Sequence, residues 1–370
     1  MRIGINLLYL IPGQVGGTEI YAKGLLHGLS CIDSEHEFVV FLNQSAANWP
    51  LPQTSNFYRV ICPIWGASQS QRYLYEQLRF PFILRKEGVD LVHSLGYVGP
   101  LFTGIPSVVT VHDMNFISLR SIMPVHKIIA RAFFVILTVH RTKHIITDSV
   151  FSKKEIVRYL AISTKKITVI PASIFERPQS SFTWEKIRDR YSLKPPYIVA
   201  FSSRSKHKNI NGLLSAYSLL KDQFPHNLVL IGHIPSRINL PKLKRTLRLD
   251  GRVITTGFLP DEDIQPVLGH ASLFVFPSFY EGFGFPLLEA QAAGVPIVSS
   301  KAGSLPEIGG DSALYFDPAS ITEMACVISR CLSDSELTDR LIRSGLKNIQ
   351  RFSWKNTALK TLEVYQKILS

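Results

Sequence analysis

Pro277-Ser278-Phe279-Tyr280-Glu281-Gly282-Phe283-Gly284-Phe285-Pro286-Leu287-Leu288-Glu289-Ala290-Gln291-Ala292-Ala293-Gly294-Val295-Pro296 is the stretch from which the fold is read. An apolar run ends at Pro277, Gly282 and Gly284 open a tight turn, and Pro286 suits the first turn of a helix. Strand, glycine turn and helix in that order form the repeating unit of a parallel α/β sheet, whose ligands collect at the carboxyl ends of the strands. Glu289 falls about one turn inside the helix, on the face toward the loop, where its carboxylate can accept two hydroxyls. Glu281 sits in the turn, beside the free helix amides. Two acids at a helix start also complement its dipole, but that leaves the glycines unexplained.

Working outward, short β-rich runs alternate with helical ones over the whole chain. Strands are expected at Ile3–Leu8, Phe38–Leu42, Tyr58–Ile61, Leu91–Ser94, Val108–His112, Ile145–Thr147 and Ile167–Ile170, several of them Val/Ile runs without alternation, as strands covered on both faces should be. After a polar, proline-containing stretch from Ile174 to Ser181 the pattern restarts, with strands at Tyr197–Phe201, Leu228–Ile231, Val253–Thr255, Leu273–Phe276, Pro296–Ser299 and Leu314–Phe316. Two α/β domains follow, 1–175 and 176–352. The segment after Phe352 reads as one amphipathic helix with no strand behind it, so it must pack on something already built. Ser152 and Glu155 have capping-box spacing and predict a helix from Ser152.

Other strand ends carry chemistry too. Gly13-Gln14-Val15-Gly16-Gly17-Thr18-Glu19 follows the first strand and opens a helical run, either an ordinary glycine turn or a place where backbone amides approach an anion. It is not the G-x-G-x-x-G dinucleotide fingerprint. Arg204-Ser205-Lys206-His207-Lys208 places four basic or imidazole side chains in five positions after a strand, a cluster that repels itself unless an anion such as a diphosphate joins it. Asp261-Glu262-Asp263 superficially resembles a metal-binding D-x-D, but its place before Ile264-Gln265-Pro266 reads as an acidic helix N-terminus.

Of the 370 residues, 46% are hydrophobic and 19% charged, a composition that folds. The uncharged apolar stretch Ala132–Val139 is far short of the roughly 20 residues a membrane-spanning helix needs. The N-terminus shows no secretory pattern, and the four scattered cysteines read as reduced, buried thiols. The formal net charge of +13 is uneven: residues 1–119 carry seven basic against eight acidic side chains, and residues 120–166 ten against two. With the apolar run beside it, this basic stretch fits either a core helix with solvated ends or a peripheral contact with an anionic membrane.

The segment from Glu281 to Pro296, together with G-G-T-E at Gly16–Glu19, T-V-H-D at Thr110–Asp113, H-K-N at His207–Asn209 and G-F-L-P at Gly257–Pro260, resembles the family 4 retaining glycosyltransferases with the GT-B fold. The resemblance covers nearly the whole chain. It implies two facing Rossmann-like domains, 1–175 for the acceptor and 176–352 for the nucleotide-sugar donor, with helix 353–370 crossing back to the first domain. It also implies that Arg204 and Lys208 hold the donor diphosphate, Glu289 the ribose, and Glu281 with Gly282, Phe283, Gly284 and Phe285 the donor sugar. His112 would lie near the sugar, Gly16 and Gly17 beside the diphosphate and acceptor, and Phe258 near the base. Ser203 stands where glycine is usual, which shifts the basic pair.

Lys208, Glu281 and His112 are thus the expected catalytic residues of a metal-independent hexosyltransferase with no cofactor beyond its nucleotide-sugar co-substrate. Similarity of Tyr75–Leu78, Asp90–Ser94 and Thr110–Asp113 to a bacterial subgroup rich in mannosyltransferases favours GDP-mannose over UDP- or dTDP-linked glucose or rhamnose. Such a protein builds cell-surface polysaccharide on a lipid-linked or glycan acceptor at the cytoplasmic face of the membrane. A nucleotide-sugar epimerase of the same fold is the alternative enzyme. Nucleic acid is not expected as a partner, because it leaves Glu281 and Glu289 without a role.

Overall fold

The computed structural model describes residues 1–32, 35–66, 68–118, 125–235 and 238–370, the side chains of 118 and 125–127 excepted. All the expected strands form, most displaced by a residue at one or both ends. The first unit, Met1–Ile174 with Phe352–Ser370, contains β1 (Arg2–Leu7), β2 (Glu37–Asn43), β3 (Phe57–Cys62), β4 (Leu91–Ser94), β5 (Ser107–Thr110), β6 (His144–Thr147) and β7 (Ile167–Val169). They pair in the order β3-β2-β1-β4-β5-β6-β7, and every neighbour is parallel. The second unit, Phe175–Arg351, contains β8 (Tyr197–Ser202), β9 (Asn227–Gly232), β10 (Val253–Gly257), β11 (Leu273–Phe276), β12 (Ile297–Ser300) and β13 (Ala313–Phe316), in the order β10-β9-β8-β11-β12-β13.

In a sheet wound this way the strand order reverses at one point, where the loops leaving two adjacent strands diverge and open a crevice. That point lies between β1 and β4 in the first unit and between β8 and β11 in the second. Strands β4, β6 and β11 are buried throughout; β11 is apolar at every position, while β4 and β6 also bury His93, Ser94, His144 and Thr147. The edge strand β3 exposes Tyr58 and Arg59. Cys62 and Cys331 are buried, but Cys31 and Cys326 are exposed, contrary to expectation, and all four are free thiols.

Helix Val150–Leu160 begins two residues before the expected start. Its cap is Ser149, whose Oγ accepts the Ser152 N–H at 3.0 Å. The Ser152 hydroxyl donates instead to the His112 carbonyl at 2.8 Å. The apolar core of the basic stretch forms helix Val125–Arg141, which buries Val135 and Val139 and exposes Ile129, Phe133 and Ile136. Arg120, the stretch's first residue, lies outside the described residues. Among those described, no helix is long and apolar enough to cross a membrane.

The C-terminal helix Trp354–Leu369 packs on the first unit's helix Gly17–Ser30. Two glycines make this possible. A Cβ on Gly24 would lie 2.1 Å from the Trp354 ring, and one on Gly28 would lie 2.2 Å from the Trp354 carbonyl oxygen. The same helix is tied to the sheet by Tyr365, whose hydroxyl lies 2.6 Å from His93 Nδ1, and by the Thr357 hydroxyl, which donates to the Pro171 carbonyl at 2.7 Å. Alanine in a helix interior is otherwise favoured over glycine by about 1 kcal/mol, so the sign of a substitution decides the matter. Gly24→Ala is expected to destabilise the protein by about 1–3 kcal/mol through overpacking, seen as a lower midpoint in thermal unfolding; an unchanged or raised midpoint would contradict this packing.

Candidate active site

The second unit's reversal point brings together two loops that are distant in sequence. Lys208, in the loop after β8, places Nζ 2.7 Å from Glu281 Oε1, in the loop after β11, and both side chains are mostly buried. The ammonium also lies 4.8 Å from the centroid of the Phe276 ring, a further electrostatic attraction. The Phe279 N–H donates to the His207 carbonyl at 2.7 Å and fixes the loops to each other. Burial by itself raises the Glu281 pKa, but Lys208 and then His207 outweigh it and hold the carboxyl below its ordinary value. It is therefore ionised at neutral pH. Burial pushes His207 the other way, below its ordinary value despite the nearby carboxylate.

A third loop, after β12, supports Glu281 from behind. Gly303 has φ +64°, and a Cβ there would sit 2.4 Å from the Glu281 carbonyl oxygen. Ser304 donates its N–H and its hydroxyl to that oxygen, each at 3.1 Å, and the hydroxyl also reaches the Phe283 carbonyl at 2.8 Å. Neither residue was anticipated from sequence. The available signal was the A-G-S triplet, Ala302–Ser304, one residue after a buried strand.

Gly284, at φ +102°, caps helix Phe285–Ala292, and Pro286 lies in its first turn. The Glu281 carboxylate accepts a hydrogen bond from Lys208, the counter-charge that its burial requires. Glu289, nearly buried, is bound by Arg177, whose Nη2 lies 2.8 Å from Oε1 while its Nη1 lies 2.9 Å from Asp261 Oδ1. Burial raises the Glu289 pKa and Arg177 opposes the shift without cancelling it. Sequence reading placed Arg177 in a linker and missed it. Gly282, Phe283 and Gly284 are buried, and the Phe283 and Phe285 rings meet edge to face at 5.1 Å. Arg204 and Phe258 are exposed, the latter by 77%, and neither joins the Lys208–Glu281 contact.

Asp261, Glu262 and Asp263 form the first turn of helix Asp261–Gly269. Asp263 is buried and accepts hydrogen bonds from Tyr191 at 2.6 Å and Ser180 at 3.0 Å, so it is committed to structure. Among the described residues no three His, Cys, Asp or Glu side chains converge as metal ligands.

In the first unit, His112 follows β5 and is buried. Its Nδ1 lies 2.6 Å from Asp148 Oδ2 and its Nε2 3.1 Å from the Leu95 carbonyl oxygen. Both partners are acceptors, so the ring satisfies them best with both nitrogens protonated. Burial works against that cation, but Asp148 prevails and the His112 pKa is raised. Tyr21 and Tyr97 meet the imidazole edge-on at 4.8 and 5.5 Å. Gly16, at φ +58°, caps the helix that begins with Gly17, and Glu19 in its first turn accepts the Gly13 N–H at 2.8 Å. The loops at this end of the sheet border a cavity of about 1190 Å³, lined in part by Tyr9, Thr18, Arg72, Tyr73, Tyr97 and Arg131. Arg72 is buried beside Glu76, whose carboxyl burial pushes up to about 7. Asp148 and Arg72 went unread in the sequence, and Arg131 was read only as part of the basic stretch.

Two family models match the chain consecutively: glycosyltransferase family 4 over residues 15–174 and glycosyl transferases group 1 over residues 183–348. The O-antigen chain mannosyltransferase B of Escherichia coli is 28% identical over 98% of this chain and 95% of its own length. The serotype-specific mannosyltransferase WbdA of Escherichia coli is 30% identical over 62% of this chain but only 29% of that longer protein. The solved sucrose-phosphate synthase of Thermosynechococcus elongatus superposes with a TM-score of 0.77 at 20% identity, covering 99% of this chain and 98% of that one. With both halves matched and both sheets wound as described, the chain belongs to the family 4 glycosyltransferases and has their GT-B fold of two Rossmann-like domains.

Proposed function

We propose that the protein transfers mannose from GDP-mannose, with retention of configuration, to a glycan or lipid-linked acceptor of a bacterial surface polysaccharide. The observation that carries this reading is the buried Lys208–Glu281 pair at the second sheet's reversal point. Breaking the bond between a sugar and a nucleoside diphosphate develops negative charge on phosphate oxygens. A preorganised cation there lowers the barrier by several kcal/mol. Glu281 occupies one of the three donors of the Lys208 ammonium and leaves two for phosphate oxygens. Arg204, on the same loop, reaches the diphosphate from its exposed position, and Glu289 beside the helix start takes the ribose hydroxyls. Gly282, Gly284 and the Phe283 and Phe285 backbone face the sugar with Glu281, and Phe258 lies by the base.

The first unit supplies the acceptor side. Its cavity has aromatic walls for sugar faces and guanidinium groups for hydroxyls or an anion. Gly16 and Gly17 allow close approach of backbone. His112, with both ring nitrogens engaged, acts as a fixed cation rather than a base. Among the described residues no carboxylate is assigned as an opposite-face nucleophile, so leaving group and acceptor use the same sugar face, and the departing phosphate oxygen takes the acceptor proton. The mannosyltransferase relatives support the choice of sugar. The exposed Ile129, Phe133 and Ile136 beside basic charge support a peripheral position on the cytoplasmic membrane face.

In a thermal-shift panel, GDP-mannose is expected to raise the unfolding midpoint by several degrees, since a ligand at about 100 times its Kd adds about 2.7 kcal/mol. UDP-glucose and dTDP-rhamnose should leave it unmoved. Stabilisation by either of these alone would overturn the donor assignment, and no response to any of the three would overturn the nucleotide-sugar reading.

Because Lys208 and the loop amides do the electrostatic work, mannosyl transfer is expected to persist after exhaustive EDTA treatment. Complete loss of transfer that returns on adding a divalent ion would contradict it.

A further inference from the structure

β7 is the last strand of the first sheet, next to β6, which helix Trp354–Leu369 contacts. They border a groove of about 610 Å³ whose walls include Lys143, Lys360, Lys367, Val169, Val364 and Ile368. Lys360, Val364, Lys367 and Ile368 recur at helical spacing and present one face to it. Two more cations stand alongside, their ammonium groups donating to backbone carbonyls: Lys166 to His140 at 2.9 Å and Lys153 to Ile167 at 2.8 Å.

These charges act on one another. Burial and then Lys143 lower the Lys166 pKa, while burial and then Lys367, Lys153 and Lys166 lower that of His144, whose Nε2 lies 2.8 Å from the Thr168 hydroxyl. Glu363 is the one acid in the groove wall. Among the described residues no ion pair engages Lys143, Lys360 or Lys367. Self-repelling cations around a partly enclosed space are relieved when a multiply charged anion enters, and a volume of several hundred Å³ is that of a small-ligand site. Ammonium groups lining one groove without a planar fork suit the tetrahedral oxygens of phosphate, and the Val169, Val364 and Ile368 side accommodates an apolar portion.

We propose that this groove is a second binding site, for a phosphate-bearing anion, made from residues that none of the nucleotide-sugar chemistry uses. The phosphate is either a soluble one or the headgroup of an anionic lipid. The site does not depend on the transfer reaction assigned above.

The test uses the full chain and two probes: inorganic pyrophosphate by calorimetry, and sedimentation with phosphatidylglycerol or phosphatidylcholine vesicles. The triple variant Lys143→Gln/Lys360→Gln/Lys367→Gln, which changes only exposed side chains, is expected to bind about tenfold more weakly or worse. Glu363→Gln should bind about fivefold more tightly. Any diphosphate held near Lys208 contributes equally in all three proteins and cancels in the comparison. A difference with pyrophosphate identifies a soluble ligand; a difference confined to phosphatidylglycerol identifies a lipid headgroup. Equal binding of both probes by wild type and triple variant, or weaker binding by Glu363→Gln, would overturn the proposal.

Discussion

A lysine and a glutamate that are both largely removed from water can remain charged only because each has the other. Removing one partner of such a pair leaves an uncompensated charge and costs about 3–5 kcal/mol, so Lys208 and Glu281 constrain everything around them. Their loops leave β8 and β11, which are neighbours in the sheet although 70 residues of chain lie between the end of one and the start of the other, because β9 and β10 are laid down on the other side of β8. The Phe279–His207 backbone bond, the Gly303 close approach and the Ser304 hydrogen bonds then hold the pair at one height above the sheet. A strand order alone would place the two residues near each other; these contacts give them one geometry.

The first unit repeats the principle with a different pair. His112 and Asp148 leave the adjacent strands β5 and β6, and the charge of each is compensated by the other at 2.6 Å. Ser152 secures the His112 carbonyl from the next helix, and the Tyr21 ring, carried by the helix that Trp354 packs against, closes over the imidazole. The Gly24 and Gly28 surface is thus more than a docking place for the final helix. It sets the position of a ring that touches the site.

The strands were legible because burial on both faces writes itself into sequence as runs of Val, Ile and Leu, and β4 and β11 have the expected bounds. The glycine turn and the helix at Phe285 were legible for a similar reason: positive φ at Gly284 and a proline in the first turn are local requirements. Partnerships were not. The Glu281 contact with Lys208, 73 positions away, and the Glu289 contact with Arg177, 112 positions away in a supposed linker, left no mark in the local sequence. The capping-box spacing of Ser152 and Glu155 pointed to the wrong serine, since the cap is Ser149. The tertiary bond from Ser152 to the His112 carbonyl accompanies a helix that begins at the earlier serine.

If Lys208 and Glu281 act as one unit on the leaving diphosphate, a double-mutant cycle on kcat/KM for mannosyl transfer will show it. Lys208→Ala and Glu281→Ala should each reduce the rate by about a hundredfold or more, and the double variant should fall little further, with a coupling energy near 2–3 kcal/mol. Losses that simply add, or near-normal transfer by either single variant, would contradict the pair's role.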